Sequence, residues 1–153
     1  MRRILLFSVL AFLSAYPLSA DLSRAVIAAF KGQIVITRNE LPEGRNDKDT
    51  IAKIKAARVK EIAGSLDASN VTYWTFQYAA FLGRTGSSNL RLVFSHAGKT
   101  KADKHLSGVD PKAPVLTGEI SINEDEGIER GKLYTLQLIG GKKVVAETKL
   151  MMK

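Results

Sequence analysis

Residues 72–82, Thr-Tyr-Trp-Thr-Phe-Gln-Tyr-Ala-Ala-Phe-Leu, carry the pattern that decides the fold. Successive side chains of an extended strand point to opposite faces of a sheet. The larger apolar side chains of this segment share one face, which comprises Thr72, Trp74, Phe76, Tyr78, Ala80 and Leu82. The other face carries Tyr73, Thr75, Gln77 and Ala79. This alternation predicts a β-strand with one buried face, so the aromatic residues are expected in a core rather than in a carbohydrate-stacking platform.

Other segments on both sides of this one also have the composition of strands. They are residues 33–37, 90–95, 100–106, 116–122, 133–139 and 144–152. Together these segments predict about seven strands, separated by turns rich in Gly, Pro and Asn, and hence a mainly β, antiparallel sandwich. Residues 100–106 are polar and rich in lysine, which is typical of a strand at the edge of a sheet.

Residues 48–66 contain no proline and are rich in Ala, Lys and Ile. Five apolar residues of this segment fall within one arc of a helical wheel: Ile51, Ile54, Val59, Ile62 and Leu66. This periodicity predicts a helix that is inserted after the first strand and covers an open face or edge of the sheet. Asp47 is expected to cap the N-terminus of this helix.

The register of the last two strands follows from their apolar faces. Leu136 and Leu138 are expected to face the core from the first strand. A three-residue loop at 140–142 would pair Leu138 with Val144 and join the apolar faces, whereas the loop Gly140-Gly141 would not. We therefore expect the three-residue loop.

The segment Gly127–Leu136, Gly-Ile-Glu-Arg-Gly-Lys-Leu-Tyr-Thr-Leu, resembles a turn and strand of fibronectin type III and related immunoglobulin-like modules. In those modules a hydrophobic residue and a glycine precede a tyrosine whose hydroxyl bonds back to the turn. The resemblance implies this role for Tyr134 and the role of a core tryptophan for Trp74. It departs from those modules in the inserted helix and in Arg130, where a proline is common. It implies an immunoglobulin-like sandwich and does not indicate a function.

The first 20 residues have the organisation of a secretory signal peptide. Arg2 and Arg3 precede an apolar run, Ile4–Leu13, that is too short to cross a bilayer, and the segment ends in Leu18-Ser19-Ala20. We expect residues 1–20 to be removed, and residues 21–153 to form a single domain.

The absence of cysteine is informative about location and chemistry. It excludes disulfides, thiolate nucleophiles and zinc–thiolate sites. Because small animal extracellular domains usually carry disulfides, the sequence favours the periplasm or secretion from a bacterium. No later segment is long and apolar enough for a transmembrane helix, so we expect none.

Basic residues outnumber acidic ones, with 23 Lys+Arg and 15 Asp+Glu. Loss of residues 1–20, which contain two arginines and no acid, leaves a net charge of +6. Such a charge attracts anions. The candidate contact residues are Lys53, Lys55, Arg58 and Lys60 of the predicted helix, and Lys99, Lys101 and Lys104 near the edge strand. Outside the cytoplasm, their expected partners are anionic envelope glycans, lipid head groups or exported proteins, and not nucleic acid.

The sequence contains no recognisable catalytic or cofactor motif. Its two histidines are His96 and His105, and Asp103 and Asp110 lie near the second. Ser95 and His96 are neighbours in a predicted strand, so they are expected on opposite faces and not in a dyad. The acidic loop 123–127 departs from the calcium-binding EF-hand pattern. We expect no catalytic residue, no metal and no cofactor.

These observations predict an exported, non-enzymatic binding module. One alternative is an envelope structural or assembly accessory that pairs through a sheet edge such as Thr100–Leu106. A second is a small hydrolase whose site is not visible in the sequence, and a cleft that joins His105 to Asp103 or Asp110 would favour it.

Overall fold

The computed structural model describes residues 22–82 and 87–153. The predicted signal peptide and most of the turn at 83–88 lie outside the described residues. Within the described ranges there are two α-helices, α1 (Arg24–Ala29) and α2 (Asp47–Ala57), and a 3₁₀-helix at Glu124–Glu126. The strands in the same ranges are β1 (Ile34–Thr37), β2 (Glu61–Ile62), β3 (Ser65–Leu66), β4 (Thr72–Phe81), β5 (Leu90–His96), β6 (Lys99–Leu106), β7 (Val115–Asn123), β8 (Lys132–Gly140) and β9 (Lys143–Met152).

The strands form two sheets. In the smaller sheet, β4 pairs along its length with β7, and its other side pairs with β1 and β3. The larger sheet has the order β2-β9-β8-β5-β6. Every strand pair is antiparallel except β2 with β9. The predicted antiparallel sandwich is confirmed, and β2 and β3 are short additions to the seven expected strands.

The inner faces of the two sheets form the main core. The alternation expected for residues 72–82 holds in the first part of the strand, where Trp74 is fully buried and Tyr73 is 36% exposed. Towards its end the expectation of one buried face is wrong, because Ala79 and Phe81 on the opposite face are buried as well. The indole Nε1 of Trp74 donates a hydrogen bond to the carbonyl of Lys153 at 2.9 Å. Tyr134 is also fully buried, and its hydroxyl accepts a hydrogen bond from the backbone N–H of Glu129 at 2.8 Å. The two features that carry the immunoglobulin-like resemblance are therefore both present.

The two helices cover part of the outer face of the smaller sheet. Val26 and Phe30 of α1 and Ile54 of α2 pack with residues of that face in a second apolar cluster. The sheet contributes Val35, Ala79, Phe81 and Val115 to this cluster. The expectation that a helix covers a face of the sheet is confirmed, and the outer face of the larger sheet has no helix over it among the described elements.

The predicted extent of the helix at 48–66 is wrong at its C-terminal end. Helix α2 begins close to the expected position, but its cap is Asn46, whose side chain accepts from the N–H of Asp49, rather than Asp47. It ends at Ala57 because the next backbone groups bond to strands. The N–H of Val59 donates to the carbonyl of Ile36, and the carbonyl of Ile62 accepts from Lys153. Ile62 consequently enters the main core.

The expected register of the last hairpin is also wrong. Leu138 pairs with Ala146 and not with Val144, and Gly140 pairs with Lys143, which leaves a two-residue turn. The extra residue is taken up by a bulge at Val145. A bulge reverses the parity of the strand, so a short turn and joined apolar faces become compatible. Val144 is left 41% exposed.

Candidate functional site

The basic residues selected from the sequence lie in separate parts of the fold. Lys53 and Lys55 are on α2, and Arg58 and Lys60 follow it near β9, whereas Lys99, Lys101 and Lys104 lie on β6 at the opposite edge of the larger sheet. The fold does not bring the two groups together. Their electrostatic surroundings also differ.

The lysines of β6 face the acidic segment that follows β7. The ammonium group of Lys104 donates to the carboxylate of Glu126. The hydrogen bond and positive charge of Lys132 lower the pKa of Glu129, and the charges of Lys101 and His96 lower it further. The carboxylates of Glu126 and Glu129 therefore offset much of the positive charge near β6. The acidic loop 123–127, which the sequence did not relate to any strand, therefore contributes an ion-pair partner to β6 through Glu126.

Lys53 also has local partners. Its ammonium group lies 3.6 Å from the carboxylate of Asp49 and donates to the carbonyl of Glu43 at 3.1 Å. The backbone N–H of Arg45 is the main cause of the lowered pKa of Asp49, and Lys53 contributes to it. Lys53 therefore stabilises the start of α2.

The backbone after α2 follows the outer edge of β9. The N–H of Met151 donates to the carbonyl of Lys60 at 2.9 Å, which places Lys60 at this edge. The half-buried guanidinium of Arg58 donates to the Gln33 side chain at 2.9 Å and to the Thr148 hydroxyl at 3.3 Å. Arg58 thus holds the segment after α2 against β9, in addition to contributing charge.

Two further lysines at this edge were missed by the sequence reasoning. Lys31 precedes Gly32, whose carbonyl accepts a hydrogen bond from the N–H of Glu147 in β9 at 3.1 Å. Lys149 lies on β9 itself and is exposed. The long-range contacts of Gly32 and Lys60 with β9 place Lys31 and Lys60 along the strand that carries Lys149, and no local pattern signals them. We call the four cations along this edge the β9 basic strip: Lys31, Arg58, Lys60 and Lys149.

The β9 basic strip has few counter-charges. Among the described residues, no carboxylate oxygen lies within 4.0 Å of a side-chain nitrogen of the strip. Two glutamates lie close to the strip in sequence, Glu61 beside Lys60 and Glu147 on β9. The Glu61 carboxylate pairs with Lys153 at 2.8 Å, and that of Glu147 accepts a hydrogen bond from Gln137 at 3.1 Å. The strip therefore presents positive charge to solvent, in contrast to the lysines of β6.

A groove of about 570 Å³ lies on the outer face of the larger sheet and reaches the strip at Lys149. Ser95, Thr135 and Lys149 form one row across β5, β8 and β9, because Ser95 pairs with Thr135 and Thr135 with Lys149. We call this feature the outer groove. Its lining consists of Ser95, His96, Ala97, Gly98, Leu133, Thr135, Gln137 and Lys149.

The histidines take separate positions. The Nδ1 atom of His96 is 2.9 Å from the carbonyl of Leu133, so this nitrogen carries the proton. The Nε2 atom of His105 is 3.7 Å from the carboxylate of Asp103, but the His105 side chain is 77% exposed and does not line the outer groove. The carboxylate of Asp110 accepts a hydrogen bond from the backbone N–H of Lys112. These residues therefore do not form the cleft that would favour the hydrolase alternative.

Residues 22–82 and 87–153 contain neither a metal-binding cluster nor a helix that could span a membrane. No group of three or more His, Asp or Glu side chains there is arranged to hold a metal ion. In the same part of the chain, no helix has the length and apolar character needed to cross a bilayer.

Comparison with known proteins gives a fold-level likeness alone. No protein-family model matches the chain, and no curated protein matches it. The chain is similar to the crystal structure of an immunoglobulin-like protein from Pseudomonas aeruginosa, with 13% identity, a TM-score of 0.41, and coverage of 79% of this chain and 90% of that one. It is also similar to part of a β-glucuronidase from Bifidobacterium dentium in complex with coumarin-3-O-glucuronide, with 16% identity, a TM-score of 0.33, and coverage of 77% of this chain and 16% of that one.

Proposed function

We propose that this protein is an exported, non-enzymatic binding module that contacts an anionic component of the bacterial envelope through the β9 basic strip. One observation carries the proposal. The strip cations lie along one edge with no carboxylate within 4.0 Å in the described residues, whereas Lys104 of β6 pairs with Glu126. Positive charge without local counter-charges is available to an external anion.

The physical basis of the proposed contact is electrostatic. A lysine near an anionic surface contributes about 1 kcal/mol to binding, and salt weakens this contribution because exposed charges are screened. Several cations on one edge therefore predict a contact of useful affinity that is sensitive to salt. Export is proposed from the charged and apolar segments of residues 1–20 and from the absence of cysteine.

The edge-pairing alternative has less support. Thr100–Leu106 lies in β6, the outermost strand of the larger sheet, so its backbone is at an open edge. However, β6 carries a bulge at Lys101, and Lys104 lies on the row that pairs with the inward-facing Leu92. Bulges, lysines and inward-pointing charges are features that keep edge strands from pairing. We therefore favour the anionic contact over strand addition.

The test is sedimentation of residues 21–153 with isolated bacterial envelopes at low and high salt. The test variant is Lys31→Glu/Lys60→Glu, and the control is Lys99→Glu/Lys112→Glu, which changes the net charge equally outside the strip. We expect wild-type protein and control to sediment at low salt and to be released at high salt. The strip variant should lose binding by about tenfold or more.

An equal loss of binding in both double variants would contradict the proposal, because net charge alone would then be responsible. Binding that survives high salt would also contradict it, and would direct attention to an apolar contact with another exported protein.

A further inference from the structure

We infer that the outer groove binds one carboxylate-bearing sugar residue of an acidic glycan. This inference rests on the proposed function and names the class of ligand for it. The groove opens beside the β9 basic strip and contains one of its members, Lys149. If one sugar residue occupies the groove, the adjoining sugar residues of the same glycan would lie close to the positive charges of the strip.

The polar groups of the groove suit a ligand with several hydroxyls. Ser95 and Thr135 are half-buried, and their hydroxyls make no hydrogen bond to any described residue. Gln137 donates its amide N–H to Glu147, which leaves its carbonyl oxygen as an acceptor. Hydroxyls donate and accept, so these groups match the mixed donors and acceptors of a sugar ring.

Charge selects the acidic form of such a ligand. Lys149 is the one lysine or arginine that lines the groove, and no carboxylate in the described residues lies within 4.0 Å of its ammonium group. A carboxylate on the sugar would provide this missing partner through a charge-assisted hydrogen bond. The groove is open to solvent, so it suits one residue of a chain that lies on the surface rather than an enclosed small molecule.

The rim of the groove includes the two-residue turn between β5 and β6. His96 pairs with Lys99, so Ala97 and Gly98 are its central residues, and both have positive φ, +49° and +76°. Such tight hairpin turns require positive φ at both positions, so this conformation follows from the turn.

Other classes of partner fit this place less well. Strands β5 and β8 are paired on both sides, so a peptide cannot add to the sheet at the groove as a further strand. A lipid surface is met best by apolar side chains beside basic ones. Leu133 is the one large apolar side chain of the groove lining, and Ser95, Thr135 and Gln137 would remain without partners under a bilayer.

The experiment is isothermal titration of residues 21–153 with a tetramer of galacturonic acid, and with the neutral tetramer cellotetraose. The test variant, Ser95→Ala/Thr135→Val, removes both hydroxyls and keeps every charge. The matched control is Thr75→Val/Ser121→Ala, which removes two hydroxyls from the outer face of the smaller sheet. We expect the acidic tetramer to bind the wild type and the control, and the test variant to bind about tenfold more weakly. Urea midpoints of both variants verify that they are folded.

The outcomes separate this inference from the proposed function. Unchanged affinity of the test variant, or equal binding of the neutral tetramer, would overturn the groove assignment. If the acidic tetramer does not bind while envelopes still capture the protein through Lys31 and Lys60, the groove assignment fails and the strip remains. Binding to phosphatidylglycerol vesicles without binding to the tetramer would identify a lipid partner and would also overturn it.

Discussion

The hydroxyl of Tyr134 makes a single defined contact, which allows a direct test of the tyrosine corner. It accepts the backbone N–H of Glu129 at 2.8 Å inside a fully buried site. Tyr134→Phe would leave that N–H without its partner, so we expect a loss of about 1 kcal/mol in the free energy of unfolding. Urea denaturation measures this loss as a lower midpoint. Tyr73→Phe, on an exposed side chain, should leave the midpoint unchanged. Equal midpoints for Tyr134→Phe and wild type would show that the hydrogen bond does not stabilise the fold.

The strain at Ala97 predicts a stabilising substitution. Ala97→Gly removes the penalty of a left-handed alanine, which is about 1 kcal/mol, although glycine also gains freedom in the unfolded chain. We expect a net increase in thermal stability for Ala97→Gly. Gly98→Ala should have the opposite effect for the same backbone reason, because no atom lies within 4 Å of the added Cβ. A decrease for Ala97→Gly would contradict the assignment of strain to this hairpin.

At the scale of elements, the start of α2 has a predicted dependence on pH. The backbone N–H of Arg45 and the charge of Lys53 lower the pKa of Asp49 in the folded protein. A carboxyl group whose pKa is lower in the folded state stabilises it above the unfolded pKa, and this contribution disappears as the pH falls through the folded pKa. We therefore expect stability to decrease as the pH falls below about 4.

Asp49→Asn tests this dependence because it removes the titrating group. The variant should show a smaller decrease in urea midpoint between neutral and acidic pH than the wild type shows. Asp125→Asn removes an exposed carboxyl of the 3₁₀-helix and should keep the decrease of the wild type. If both variants respond to acid as the wild type does, Asp49 does not contribute to the acid sensitivity.

The elements also show which parts of the fold a single sequence can predict. The strand at 72–81 was predicted because its alternation is a local property that burial on one face imposes. The end of α2 was not predicted, because the backbone groups of residues 59–62 form hydrogen bonds with residues distant in sequence. Their partners are the carbonyl of Ile36 and the backbone N–H groups of Met151 and Lys153. Gly64 illustrates the same limit. It lies within the segment predicted to be helical, but an added Cβ would lie 2.9 Å from Nε1 of Trp74, a contact that depends on the tertiary structure.

At the scale of the whole molecule, the sequence predicted that basic residues would form the candidate site, but it did not predict where in the fold they would lie. The excess of basic residues indicated the kind of side chain, but the list taken from the sequence lacked Lys31 and Lys149, because the grouping of lysines depends on which strands become edges. Lys31 and Lys149 join Lys60 because residues far apart in sequence meet at β9. On β6, Lys104 pairs with Glu126 of the segment after β7, and the charge of Lys101 contributes to the lowered pKa of Glu129.

The sandwich as a whole is expected to unfold in one cooperative step. Trp74 is the only tryptophan, and it is buried between the sheets while its indole bonds to the carbonyl of Lys153 after β9. Its fluorescence therefore reports contact between β4 of the smaller sheet and the end of the larger one. Far-UV circular dichroism reports the strands of both sheets. Because the two inner faces share one core, neither sheet can keep its apolar face buried alone. We expect urea transitions measured by the two methods to coincide. A fluorescence transition at lower urea than the dichroism transition would show that the sheets separate before they lose their strands, and would contradict a single cooperative core.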